Sequence, residues 1–145
     1  MKKIIILFSL AALVTLFACG GKHDQHHEAM AQDSIWKGMD EFHFVMAESF
    51  HPFKDSSNLE PAKKLADEMD SVAGIWLAAA RPEKVNTDVV KERMEKLKAD
   101  TKLFAAAVNV ESDSTLAKSL DDLHNQFHVL QEAWYSDHDE HQKHD

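Results

Sequence analysis

The chain has 145 residues, of which 16 are Lys or Arg and 25 are Asp or Glu, so its formal net charge is -9 with histidine neutral. This acidic balance argues against DNA, RNA or an anionic lipid surface as the main partner. Gly (4) and Pro (3) are too few for a turn-rich β-sandwich, and a single Cys excludes an internal disulfide framework. Ten histidines against one Tyr are the unusual feature of the composition.

The first 18 residues have the pattern of a secretory signal peptide. Lys2 and Lys3 precede an apolar run over residues 4–18, which only Ser9 and Thr15 interrupt. A positive segment followed by an apolar segment is typical of an export signal. The run is shorter than the about 20 residues that a spanning helix needs, so a transmembrane anchor is the weaker alternative.

The apolar run ends in Leu16-Phe17-Ala18-Cys19-Gly20, which resembles the lipobox of bacterial lipoproteins. Leu lies three residues before the Cys, and small residues flank it, although Phe17 departs from the usual pattern. The resemblance implies cleavage before Cys19, a lipid on its sulfur and a further acyl chain on the new N-terminus. Several acyl chains anchor a protein stably to a membrane.

Loss of the signal peptide leaves 127 residues with a net charge of -11, because Lys2 and Lys3 are removed with it. Gly20 follows the Cys in place of the Asp that marks inner-membrane retention in some bacteria. We therefore expect a protein of the bacterial cell envelope that is anchored in the outer membrane and faces the periplasm or the cell surface.

The mature chain divides into a polar tether at 19–31, a helical domain at 32–136 and a polar, His-rich tail at 137–145. Within the domain, four segments carry apolar residues at alternating spacings of three and four, which places each set on one face of a helix. The four sets are Trp36, Met39, His43, Met46 and Phe50; Ala62, Leu65, Met69, Val72, Trp76 and Ala80; Val90, Met94, Leu97, Thr101, Phe104 and Val108; and Leu116, Leu120, Leu123, Phe127, Leu130 and Trp134. Because the connections are short, the sequence predicts an all-α fold, an antiparallel up-down-up-down four-helix bundle.

Local signals predict the ends of these helices. The first helix is expected to stop at His51-Pro52, because the residue before Pro avoids the α conformation. The other signals are Pro61 in the first turn of the second helix, Arg81-Pro82 at its end, Thr87 with Asp88 at the start of the third, and N-caps for the fourth at 112–114. Gly74, inside the second helix, costs about 1 kcal/mol relative to Ala, or allows a neighbour to approach closely.

The ten histidines fall into two groups. Exposed histidines in tails bind Zn, Cu or Ni loosely, and six of the ten lie in the tether and the tail: His23, His26, His27, His138, His141 and His144. The other four lie on the first and last predicted helices, and none lies on the second or third: these four are His43, His51, His124 and His128. In an up-down-up-down bundle the first and last helices are neighbours.

These four histidines are the predicted ligands of a transition-metal site, for which Zn and Cu are the first candidates. His124 and His128 are four residues apart, the spacing by which one helix supplies two imidazoles to one metal. His43 occupies the apolar stripe of the first helix, so we expect it to be buried near the level of His124. His51 either completes the site, with the metal opposite Ala47, or belongs to a second site on the surface.

Several oxygen ligands could add to this site: Glu48, Asp121, and Glu68 or Asp67 of the second helix. Because metal binding requires neutral imidazole, it should weaken as the pH falls below about 6. The expected role is metal sequestration, sensing or handover in the cell envelope, with the membrane and the metal ion as partners.

Other functions are alternatives. Non-covalent haem b could be held by His43 or Met46 with His124 or His128, as in bundles like cytochrome b562, whereas C-x-x-C-H for covalent haem is absent. A di-iron site is a further redox option, although the Asp-x-x-His pairs at 40–43 and 121–124 match its pattern poorly. A further alternative is a protein-interaction module that binds no cofactor. The sequence carries no nucleophile or phosphate-binding motif, so we do not expect an enzyme.

Overall fold

The computed structural model describes residues 36–136. They form four α-helices, which are α1 (Lys37–Ser56), α2 (Glu60–Ala78), α3 (Asp88–Ala107) and α4 (Asp113–Tyr135), with a 3₁₀ turn at Glu83–Val85. No strand occurs in this range, so the prediction of an all-helical domain with four helices is confirmed. The predicted signal peptide, the lipid-modified Cys19, the tether and the His-rich tail lie outside the described residues.

The four helices share one apolar core. Each helix packs against the next one in the chain, and α1 also packs against α4, an arrangement compatible with a bundle. All six predicted core positions of α4 are buried, as are five of the six in α3, where Val108 is half-buried. Within residues 36–136, no helix combines the length and the apolar character needed to cross a membrane.

Side-chain caps start the third and fourth helices. The Thr87 hydroxyl accepts a hydrogen bond from the Val90 N–H at 3.2 Å, and the Ser112 hydroxyl accepts one from the Thr115 N–H at 3.3 Å. Each cap satisfies one of the N–H groups that the first turn of a helix leaves without a partner. The predicted starts of these two helices are therefore confirmed.

The predicted end of α1 at His51-Pro52 is wrong, because the helix continues through Pro52 to Ser56. Pro52 lacks the N–H that would bond to the Glu48 carbonyl, yet its fixed φ remains compatible with the helix. The helix ends instead where Ser57 adopts the left-handed conformation, with φ at 57°. The N–H groups of Ser57 and Asn58 then bond to the carbonyls of Phe53 and Pro52, at 2.8 and 3.2 Å.

The buried face of α1 matches the prediction at Trp36, Met39, Met46 and Phe50, and differs from it at His43. Phe42 is fully buried, whereas His43, which the sequence placed in the core stripe, is exposed. Adjacent residues of a helix point about 100° apart, and it is Phe42 that lies on the side facing α2 and α4, where its ring contacts Trp76 and Phe127. Burying the phenyl ring removes more apolar surface from water than burying an imidazole, and α1 is accordingly rotated to put Phe42 inside.

Candidate functional site

The candidate site lies along the contact between α1 and α4, where aromatic rings of the two helices meet. Trp36 contacts Trp134 with ring centroids 5.8 Å apart. Farther along α1, Phe42 contacts Phe127 at 5.6 Å, and Phe50 stacks on His124 at 3.6 Å. This succession of contacts holds the two helices in register and places His43, His124 and His128 along one edge.

His124 is half-buried against the Phe50 ring, which lies nearly parallel to the imidazole, at an interplanar angle of 7°. Burial is the main cause that lowers the pKa of His124 to about 4, and the neighbouring His128 adds to it. Lys54 and His51 lower it further, whereas Asp121 opposes them. His124 is therefore neutral at physiological pH and has a nitrogen lone pair available.

His128 is exposed, and its Nε2 lies 3.1 Å from Nε2 of His124. Its other ring nitrogen, Nδ1, lies 3.0 Å from the side-chain oxygen Oε1 of Gln131. An amide oxygen can only accept, so Nδ1–H of His128 donates, and the Nε2 of the neutral ring keeps its lone pair. That lone pair accepts the Nε2–H of His124. The structure thus brings together the two imidazoles that the spacing of four residues predicts on one face; we call them the histidine pair.

His43 lies on the same edge, but it does not enter the core. Its ring stacks on Phe127, with centroids 5.1 Å apart and an interplanar angle of 17°. Phe127 itself is buried, and its ring also contacts His128 at 5.8 Å. The prediction of a buried His43 is wrong, because the imidazole covers the outer side of Phe127 and remains open to solvent.

His51 faces a surface groove between α1 and α2. The groove is lined by Ala47, Glu48 and Pro52 of α1, and by Pro61 and Leu65 of α2. The small Ala47 does lie beside His51, but the wall opposite is apolar. His51 is nevertheless close enough for its charge to lower the pKa of His124.

The predicted oxygen ligands are separated from one another. Asp121 pairs with Lys54, with the ammonium nitrogen 3.4 Å from its carboxylate oxygen. Glu48 lines the groove beside His51, and Glu68 is exposed on α2. Within residues 36–136, no group of three or more His, Cys, Asp or Glu side chains is placed to hold a metal ion. Of the four predicted histidine ligands, the described fold brings two into direct contact.

Three residues have roles in this site that the sequence prediction did not assign to them: Gln131, Phe50 and Lys54. Gln131 follows His128 by three residues, so its contact with that ring could have been inferred from helical spacing. Phe50 was assigned to the core, but its role as the stacking partner of His124 depends on the rotation of α1. Lys54 and Asp121 are 67 residues apart in the chain, and only the tertiary fold reveals that they form an ion pair.

The axial ligands considered for haem occupy different environments. Met46 is buried among the core side chains, whereas His43 is exposed. The haem and di-iron alternatives remain predictions.

Comparison of the chain with protein-family models, with curated proteins and with solved structures found no match.

Proposed function

We propose that this protein binds a transition-metal ion, Zn or Cu first, through the histidine pair, and that it serves metal sequestration, sensing or handover in the bacterial cell envelope. The observation that carries the proposal is the 3.1 Å separation between the two Nε2 atoms. Two imidazole nitrogens that bind one metal at about 2.0–2.1 Å must lie about this close to each other.

The protonation state of His124 supports the proposal. Protons compete with metal ions for imidazole nitrogen, so a neutral ring binds better. The pKa of His124 is about 4, and proton competition at this ring is therefore weak at neutral pH. The Nδ1–H of His128 bonds to Gln131, an arrangement that orients a metal-binding imidazole and directs its Nε2 lone pair toward His124.

We also propose that the helices form an antiparallel up-down-up-down bundle. Three contacts between α1 and α4 support this topology, since the partners run in opposite directions along the two helices: Trp36 with Trp134, Phe50 with His124, and Lys54 with Asp121. Gly38, near the start of α1, lies against Trp76, near the end of α2. These neighbours fit helices that alternate in direction around the core.

The proposed location is the outer membrane, with a lipid anchor on Cys19. Its support is the resemblance of residues 16–20 to a lipobox. Replacing Cys19 with Ser should abolish acylation and release the protein from the membrane fraction, as measured by fractionation and by the mass of the N-terminal peptide. Retention of the Cys19→Ser protein in the membrane as an uncleaved chain would instead favour a transmembrane anchor.

The metal proposal is tested with the purified, metal-free mature protein titrated with Zn(II) and Cu(II) by calorimetry. We expect one tight site that His124→Gln and His128→Gln each remove. A protein in which the six histidines of the tether and the tail are all replaced by Asn should keep this tight site. The variant His43→Gln shows whether His43 contributes to metal binding. If both pair variants retain the tight site, the metal is held elsewhere and the proposal is wrong.

A cofactor-free interaction module is the second candidate. Exposed apolar side chains favour it, since Phe44, Leu103 and Val110 are 64%, 67% and 78% exposed. A ligand that binds the folded state raises the midpoint of thermal unfolding. If neither Zn(II), Cu(II) nor a chelator moves this midpoint, the interaction module is the better account.

A further inference from the structure

We propose that the histidine pair is a preformed cis chelate that accepts divalent ions, such as Zn(II), Ni(II) and Cu(II), and discriminates against monovalent ions that prefer linear coordination, such as Cu(I) and Ag(I). This inference rests on the proposed metal-binding function and specifies its ion class. It follows from the separation and orientation of the two imidazoles.

The angle at the metal follows from the distance between the nitrogens. With each Nε2 about 2.0–2.1 Å from the ion, a separation of 3.1 Å corresponds to an angle of roughly 95–100° at the metal. This value lies between the right angle of square-planar or octahedral sites and the tetrahedral angle. A linear two-coordinate ion would instead need the nitrogens about 4 Å apart.

The ring orientations also suit a shared ligand. The ring centroids of His124 and His128 are 4.3 Å apart and the rings are nearly perpendicular, at 82°. The two Nε2 atoms are closer to each other than the centroids are, at 3.1 Å, so they lie on the facing edges of the two rings. A metal ion bound at these edges replaces the hydrogen bond between the rings, and the displaced Nε2 proton of His124 moves to its own Nδ1.

Contacts on both sides resist the opening that a linear ion would require. The ring of His124 is stacked on Phe50 at 3.6 Å, and Phe50 is itself buried. The ring of His128 is tied through Nδ1 to Gln131 at 3.0 Å. Moving the two Nε2 atoms to the separation of about 4 Å that a linear ion requires would break one of these contacts. The free-energy cost of breaking it is the source of the discrimination against monovalent ions.

The pair supplies only two of the ligands that a divalent ion takes. Within residues 36–136 no third His, Cys, Asp or Glu joins it, and His128 is exposed. Sites that lack protein ligands at some positions bind water or an exchanging group there, whereas structural zinc sites are closed. The pair is therefore suited to an ion that is taken up and released.

The test titrates the full mature protein with Zn(II), Ni(II) and Ag(I), and follows the imidazole signals of His124 and His128 by NMR. We expect Zn(II) and Ni(II) to shift or broaden both sets of signals. An equimolar amount of Ag(I) should not displace Zn(II) from the pair. The Cu(II) form should show two equatorial imidazole nitrogens by electron paramagnetic resonance.

The positioning role of Gln131 is tested in parallel. Gln131→Leu should weaken Zn(II) binding by about tenfold or more, as loss of a hydrogen-bond partner of a ligand does. Gln131→Glu, which keeps the acceptor, should restore binding. Gln126→Leu is a matched control on the same helix, because Gln126 bonds to Asp100 and not to a histidine.

The outcomes separate the two proposals. If no divalent ion perturbs the pair, the proposed metal-binding function fails. If divalent ions bind in a manner that depends on His124 and His128, but Ag(I) displaces them or X-ray absorption shows linear two-coordinate binding, then the function stands and the cis-chelate inference is overturned.

Discussion

At the scale of single residues, the charge beside the histidine pair depends on Lys54. Its ammonium group lies 3.4 Å from Asp121 and 5.4 Å from the centre of the Phe50 ring that supports His124. A positive charge at this position repels an approaching cation. Lys54 also pairs with Asp121, the carboxylate whose charge raises the pKa of His124. Lys54 therefore opposes metal binding in two ways.

Replacing Lys54 with Gln should strengthen Zn(II) binding by roughly threefold or more at low ionic strength, since it removes a like charge and frees Asp121. The measurement is a calorimetric titration at two salt concentrations, and the gain should shrink at the higher one. Lys118→Gln serves as the control, because Lys118 pairs with Asp122 on the same helix. Weaker binding by Lys54→Gln would show that Lys54 supports the site.

The lowered pKa of His124 also predicts how stability depends on pH. Between its ordinary value of 6.5 and the folded value of about 4, the unfolded chain binds a proton at His124 and the folded protein does not. Stability rises with pH wherever the unfolded state binds more protons. This contribution is therefore complete above about pH 6.5 and is lost as the pH falls toward 4.

We expect the free energy of unfolding of the metal-free protein to fall more steeply over this range than that of His124→Gln. Urea unfolding at several pH values in the presence of a chelator measures the difference. Parallel curves for the two proteins would contradict the lowered pKa.

At the scale of the helices, two glycines have opposite roles. A Cβ on Gly38 would lie 2.4 Å from Cδ1 and 2.8 Å from Cγ of Trp76, a ring that is buried and held by its neighbours. A Cβ on Gly74 would lie 3.0 Å from Cε of Lys98, near the free end of a long side chain that can shift. Only Gly38 is required for close packing, here between α1 and α2.

Gly38→Ala should accordingly destabilise the protein by about 1–3 kcal/mol, the usual cost of overpacking a core. Gly74→Ala should leave stability unchanged or raise it, because Ala favours a helix interior by about 1 kcal/mol over Gly. Urea unfolding of the two variants provides the comparison. Equal stabilities would show that Trp76 can move away from α1.

The sequence predicted α3 and α4 better than α1. Helices α3 and α4 each have a single apolar stripe, so the periodicity of the sequence determines which face is buried. In α1, Phe42, Phe44 and Val45 surround His43, and more than one face is apolar. Packing against α2 and α4 decides between them, and it buries Phe42 and Val45 while leaving Phe44 exposed.

At the scale of the whole molecule, the number of helices and the contact between His124 and His128 could be predicted, because both follow from local spacing. The positions of His43 and His51 could not, because they depend on how α1 is rotated against α4 and α2. The ion pair of Lys54 with Asp121 depends on the same packing. The lipid anchor on Cys19 and the roles of the tail histidines remain predictions from the sequence.

The contact between Trp36 and Trp134 joins the start of α1 to the end of α4. These two rings are 5.8 Å apart and both are buried, so the first turn of α1 and the last turn of α4 lie side by side. Each turn covers apolar surface of the other, and local opening of one helix end therefore exposes the tryptophan of the other.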